Sequence, residues 1–205
     1  MSLAPLDLVW SLPEAWFLIP LDGDLDEAVH AALTERAARD PRAAAAQPEL
    51  EELLRGQAES EREAGAVIAL VRWGIGPLGE MVAAYVGLDR FERDDGPIDP
   101  EIEQTTQELL LERPGDRAAP LVEQVEAHLG PGVKRQAVQE VPPVGGTVGG
   151  GMEVAQLSLL VELFVWVEGR RDLLRFSLTS FQVGHAATLV EELEHIAGSL
   201  ELGSG

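Results

Sequence analysis

Val154 to Val167 reads VAQLSLLVELFVWV, and Leu173 to Phe181 reads LLRFSLTSF. Both follow the period-two pattern of strands. In the first, the odd positions Leu157, Leu159, Val161, Leu163, Val165 and Val167 form one uninterrupted apolar face. In the second, the apolar residues Leu174, Phe176 and Leu178 are even, with Arg175, Ser177 and Thr179 between them. Successive side chains of a strand point to opposite faces, so antiparallel partners sharing a buried face have residue numbers with an odd sum. A two-residue loop at Gly169-Arg170 meets this condition and sets Glu168 opposite Arg171, Val165 opposite Leu174 and Leu163 opposite Phe176. Glycine suits the first position of such a loop, where φ is positive. A four-residue loop keeps the same parity. Ala186 to Leu202, AATLVEELEHIAGSLEL, follows as an amphipathic helix with Leu189, Leu193, Ile196 and Leu200 on one face. A hairpin followed by a helix able to cover it predicts an α+β protein.

Working back along the chain, Ala15 to Leu21, AWFLIPL, reads as a short strand that Pro20 places at its end or on an edge. Asp22 or Asp24 caps a helix from about Leu25 to Arg39, with Leu25, Val29, Ala32 and Leu33 as its apolar stripe. Pro41 stops it. A mostly charged surface helix, Glu49 to Glu63, follows on Leu50, Leu53 and Leu54 and ends at Gly65. Ala66–Trp73 and Met81–Leu88 are apolar runs of strand length, joined by a glycine-rich connector. Asp89 to Pro100 reads as a polar loop and Glu101 to Glu112 as a short helix. Leu121 to Leu129 suits either period, Gly130-Pro131-Gly132 turns the chain, and Val133 to Val141 is a strand. Pro142 to Gly151, PPVGGTVGGG, reads as a mobile loop, because so many glycines lose too much entropy on ordering. With no repeat and no domain-sized linker, residues 1–205 read as one domain with a helical insert at about 24–64.

The composition narrows the function. Thirty-six acidic residues face fifteen basic ones, a net charge of −21, and Lys134 is the sole lysine. Such a surface repels phosphate backbones, which excludes nucleic acid and anionic membranes as natural partners; the charge serves solubility alone, the favoured reading, or steers a basic or apolar protein partner. The absence of cysteine removes disulfides, thiolate metal sites and cysteine nucleophiles. The N-terminal stretch MSLAPLDLVWSLPEAW has no basic n-region, and no apolar run is long enough to span a bilayer. These features predict a cytoplasmic protein. Arginine over lysine, with abundant alanine and glycine, matches the codon usage of a GC-rich bacterial genome.

The order of elements resembles the PsbP-like α-β-α sandwich. The matching pieces are Trp16 with Pro20 in the first strand, the 154–181 hairpin, and Ile196-Ala197-Gly198-Ser199-Leu200 ending the last helix. The resemblance implies an antiparallel β-sheet flanked by helices and an accessory, chaperone or binding role. It brings no catalytic residues to carry over, and it favours strand for 121–129. The helical insert is longer than is usual for that group.

The chemical motifs dissolve on inspection. Gly74, Gly76 and Gly79 spell the dinucleotide fingerprint, but Pro77 interrupts it and the next segment is strand-like rather than helical. The Gly145–Gly151 cluster lacks the Lys-Ser/Thr of a phosphate loop. Glu27-x-x-His30 and Glu192-x-x-His195 imitate a di-iron pattern, yet the helical wheel turns both pairs toward solvent, and a sandwich is not a bundle. Asp22-Gly23-Asp24-Leu25-Asp26 lacks the glycine and bidentate acid that a calcium loop needs further on. No catalytic, metal or cofactor residues are therefore assigned, and a non-enzymatic protein-binding, adaptor or chaperone-like module is expected. A small-ligand protein or enzyme with an unrecognised pocket is the alternative.

The second face of the hairpin carries Leu160, Glu162, Phe164, Trp166 and Leu173, with Arg175 opposite Phe164. An aromatic pair beside an arginine has the composition of an interface anchor. A sandwich with helices on both sides needs the same face as a second core, and that reading is favoured. Candidate partner-binding residues are thus Phe164, Trp166 and Arg175, together with Gly145, Gly146, Gly149, Gly150 and Gly151 of the glycine-rich loop. Nothing in the sequence sets the partner's identity or the oligomeric state.

Overall fold

The computed structural model describes residues 8–39, 47–75, 80–94, 96–141 and 156–203. In chain order its elements are β1 (Leu8–Val9), β2 (Trp16–Pro20), α1 (Leu25–Arg39), α2 (Gln47–Ala64), β3 (Ile68–Ile75), β4 (Met81–Glu92), α3 (Ile98–Leu109), β5 (Leu121–Ala127), β6 (Gly130–Val141), β7 (Gln156–Trp166), β8 (Asp172–Ser180), α4 (Ala186–Gly198) and β9 (Glu201–Leu202). Seven strands form one antiparallel sheet in the order β2-β3-β4-β8-β7-β6-β5, and β1 pairs with β9. Helices lie on both sides, as the α+β sandwich reading requires.

The hairpin has the register that parity demands. Leu163 faces Phe176, Val165 faces Leu174, and Phe164 faces Arg175. The turn is four residues long, not two. Val167 N–H donates to Asp172 O at 3.0 Å, and Arg170 N–H to Val167 O at 3.2 Å. Gly169 has φ +70° as the second residue of the loop 168–171 rather than the first of a shorter one. Asp172 opens β8, where Arg90 and Arg170 both reach its carboxylate at 2.7 Å.

One face of the sheet is covered by α4. Leu189, Leu193 and Ile196 pack with Leu159, Val161, Leu163, Leu174, Phe176 and Leu178 in a single buried cluster. Two acids fix the helix laterally. Glu192 accepts from Trp16 Nε1 at 2.8 Å and from Arg72 Nε at 2.7 Å. Glu194 and Glu123 hold the buried Lys134 at 2.5 and 2.9 Å. Burial alone would lower the Lys134 pKa, but the two carboxylates hold it above its ordinary value. Glu192 therefore does not face solvent, a correction to the helical-wheel reading. Its wheel position borders the apolar stripe, and the arginine it needs comes from a strand far away in sequence.

The opposite face is shared by three helices. α1 starts where Asp24 Oδ1 accepts the N–H groups of Asp26 and Glu27, at 2.9 and 3.2 Å, which is an N-cap. Its Leu25, Val29, Ala32 and Leu33 pack with Phe17, Ile19, Ala69 and Val71. The charged helix α2 docks through a narrow stripe, with Leu54 and Ala58 buried. Glu61, one turn further on, lies over Gly87, where a Cβ would come within 2.3 Å of its Oε2. At the far end α3 covers Trp166 and Val133 with Leu109.

Several boundaries differ from the sequence reading, and the last helix, read to Leu202, ends at Gly198 because Glu201 and Leu202 pair with β1 as strand β9. β4 runs on to Glu92, because the polar residues taken for a loop have partners on β8: Asp89 faces Arg175, and Arg90 bonds Asp172. α3 starts and ends three residues earlier than read, at Ile98 and Leu109. Residues 121–127 are strand, and the chain turns at His128-Leu129 rather than at Gly130-Pro131-Gly132, which belong to β6. Gly130 has φ +144°, and a Cβ there would stand 2.2 Å from the Trp166 carbonyl oxygen. The Pro41 helix stop and the Pro142–Gly151 loop lie outside the described residues, as do Gly145, Gly146, Gly149, Gly150 and Gly151.

Candidate functional site

The side of α2 that faces β8 does not close onto the sheet. A cleft of about 170 Å³ remains there, lined by Leu54, Val71, Trp73, Tyr85, Thr179 and Phe181 among others. Each wall has a local origin. Val71 and Trp73 are on the helix-facing side of β3, and Tyr85 is paired with Val71 on one flank and Thr179 on the other. Phe181 follows the last residue of β8 and is 54% exposed, while Leu53 on the α2 rim is 64% exposed. Beyond Phe181 a shallower depression continues along Leu157 and Val183. Leu53 and Phe181 thus form an exposed apolar border to the cleft.

At its floor, Tyr85 is 8% exposed and its hydroxyl is buried without a hydrogen-bond partner among the described residues. Burial pushes the phenol pKa far up, and nearby Glu61 adds to the shift, so the group is a neutral donor and acceptor. Glu61 is itself perturbed. Burial raises its pKa, the hydrogen bond from Gln57 opposes this, Asp89 raises it further and Arg175 lowers it. The cleft itself offers an apolar wall, with the Tyr85 hydroxyl and Glu61 buried beside it.

The anchor residues expected on the second face of the hairpin are not together at a surface. Trp166 is fully buried beneath α3, and its Nε1 donates to Glu101 Oε2 at 3.1 Å. As a partner-binding residue it is corrected to second core, because α3 covers that end of the face. Phe164 is half-buried against the same cluster. Arg175 is tied to Asp89 at 2.6 Å and stacks over Phe91 at 5.5 Å from the ring centroid.

A wider depression of about 580 Å³ lies at the β7–β8 turn, lined by Arg90, Arg93, Arg170 and Arg171. It is an unlike candidate despite its size. Arg90 and Arg170 share Asp172, Arg93 is bonded by Glu101 at 2.6 Å, and Arg171 is 3.6 Å from Glu92. Its charges are matched within the protein. The glycine fingerprint is followed by β4, so it has no helix N-terminus to offer a pyrophosphate; residues 76–79 lie outside the described residues. Glu27, His30 and His195 are exposed, and among the described residues no three His, Asp or Glu side chains converge as a metal site.

Sequence reasoning missed Tyr85, Leu53 and Phe181 as a set. One signal was present: Tyr85 is the chain's only tyrosine, set on one strand face between Ala83 and Gly87. Small neighbours leave room above a large side chain. That α2 borders this room is a tertiary fact.

No protein-family model matches the chain, and no curated protein matches its sequence. Among solved structures, the chain is similar in fold to LpqN, described as involved in cell envelope biogenesis of Mycobacterium tuberculosis, with a TM-score of 0.51 and 9% identity. The likeness covers 96% of this chain and 83% of that one. It corrects the expectation of a cytoplasmic protein. That expectation rested on the missing n-region and the lack of cysteine, whereas the solved neighbour belongs to envelope biology.

Proposed function

We propose that the protein is a non-enzymatic binding module of PsbP-like architecture that docks another protein at the cleft over Tyr85, in an accessory or chaperone-like role. The observation that carries this reading is the pair of exposed apolar side chains, Leu53 and Phe181, at the rim of a cleft walled by Leu54, Val71 and Trp73. Exposed apolar side chains gathered at a concave site are the composition of an interface anchor region, not of ordinary surface. The net charge of −21 adds a preference for a partner that is basic or apolar around its anchor. The fold shared with an envelope-biogenesis protein supports a role among envelope-associated partners.

Co-purification of the full chain from its native cell tests the reading, with Phe181→Asp at the cleft and Leu121→Asp on the far edge strand as control. The expected result is one stoichiometric partner retained by the wild type and the control and lost by Phe181→Asp. A lone monomer that turns over a metabolite, or a partner indifferent to Phe181→Asp, overturns it.

A further inference from the structure

We propose that α2 is a pH-responsive arm, hinged at Gly65 and latched by the protonated Glu61 carboxyl lying on β4 at Gly87, and that it lifts from the sheet when that carboxyl ionises. The inference goes beyond the docking reading and does not depend on what the cleft holds.

The latch follows from spacing. Leu54, Ala58 and Glu61 fall at the i, i+4, i+7 positions of one helix face, and the first two are 4% and 0% exposed. The third position of the stripe carries a carboxyl where an apolar side chain belongs. Gly87 makes room for it, because a Cβ there would collide with Glu61 Oε2. Around the carboxyl, β4 supplies Tyr85 and Asp89 on either side of Gly87, and β8 supplies Arg175, already paired with Asp89 at 2.6 Å. On α2 itself, Gln57 donates to Glu61 Oε1 at 3.2 Å. An ionised Glu61 thus has one neutral donor and an arginine shared with another acid. Burial raises its pKa, Gln57 opposes the shift, Asp89 adds to it and Arg175 lowers it. A carboxyl protonated more readily in the docked state than in water holds the helix best at low pH. Docking is strongest below the unfolded value, about 4.3, and weakens as pH rises through the folded one.

The hinge is equally local. Gly65 has φ +100°, and Ala66 N–H donates to Glu61 O at 2.9 Å, so Glu61 sits at the joint with β3. Gln57 and Leu54, one and two turns further out, wall the cleft together with Val71 and Tyr85. Lifting the arm uncovers that side of β3 and β4. Towards α1 the helix is held by the Arg55–Asp26 pair and by Glu51, 3.7 Å from His30. Exposed pairs of this kind contribute little, which leaves the stripe and its carboxyl to decide docking.

The test is amide exchange of the full chain at pH 5 and pH 8, each rate divided by the intrinsic rate at that pH. In the wild type, α2 amides should be less protected than those of β7 and should exchange through an opening with weaker urea dependence. That is the mark of one element lifting rather than of the whole fold unfolding. Their protection should drop from pH 5 to pH 8, about tenfold for each unit by which the folded pKa exceeds the unfolded one. Glu61→Gln should abolish the drop, and so should Gly87→Ala, which moves the carboxyl off the strand. His30→Gln should keep it. A protection of α2 that is independent of pH, or a drop that survives Glu61→Gln or Gly87→Ala or vanishes in His30→Gln, would overturn the latch. Equal protection and equal urea dependence of α2 and β7 would overturn the hinged arm.

Discussion

Arg135 Nη2 and Asp116 Oδ2 meet at 2.5 Å with both side chains essentially removed from solvent. The pair fastens the connector after α3 to the sheet. Arg135 Nε also donates to Leu109 O at 3.2 Å, and Gln139 Nε2 donates to Asp116 Oδ1 at 3.0 Å. Burial pushes the Asp116 pKa up, but the Arg113 N–H, Gln139 and Arg135 together outweigh it and hold the carboxyl below its usual range. Removing one partner leaves a buried charge uncompensated, so Asp116→Ala should cost about 3–5 kcal/mol in urea melts. The depressed folded pKa also gives the sign of the acid response. The stabilisation is complete above the unfolded value, about 3.9, and is lost as pH falls through the folded one. The variant should lack that part of the acid transition.

Phe176 is fully buried beneath α4, whereas Phe164, on the other face of the same hairpin, is half-buried. Phe176→Ala should cost about 3–5 kcal/mol, as buried aromatic truncations do. Phe164→Ala should cost clearly less in the same denaturant melts. Equal losses would mean that the two faces are not the two environments described.

Two glycines with positive φ should respond differently to alanine. At Gly130 a Cβ meets the Trp166 carbonyl at 2.2 Å, while at Gly169, φ +70°, nothing lies within 4 Å. Gly169→Ala should cost about 1–2 kcal/mol for the left-handed conformation alone. Gly130→Ala adds a backbone clash that no side chain can relieve, and thermal melts should show the larger loss there.

Tyr85→Phe should stabilise the free protein. Removing a buried hydroxyl that has no partner relieves a desolvation cost of about 1–3 kcal/mol, and the ring keeps its packing. A rise of the melting temperature by a few degrees is expected, and a fall would reveal a hydrogen bond to the hydroxyl.

Glu61 titrates in the opposite sense to Asp116. Its pKa is raised, chiefly by burial, so the folded state holds the proton more tightly than the unfolded one. Stability should rise as pH falls through the folded value toward the unfolded one, about 4.3. Glu61→Gln should be more stable than wild type at pH 8, with the difference shrinking toward pH 5. A difference independent of pH would show that the carboxyl is not destabilised by its surroundings.

What the sequence determined by itself is what one segment decides locally. The parity of 157–167 against 174–178 fixed which faces of β7 and β8 pair, and the turn glycine at 169 chose the register among those that parity allows. The start of α1 just after Asp22 or Asp24 was local too, because a cap needs only the next three residues, and the backbone N–H groups chose Asp24. Tertiary structure decided where polar residues go. Asp89 and Arg90 read as loop until β8 brought Arg175 and Asp172 beside them. Glu192 read as solvent-facing until β3 supplied Arg72, and Trp166 was an anchor or a core residue until α3 covered it. The cleft is the extreme case, since its walls come from residues 53–57, 71–73, 83–85 and 179–181. A charge or hydroxyl is tolerable in a fold only if its partner arrives, and partners more than eighty residues away leave no periodic trace in a linear sequence.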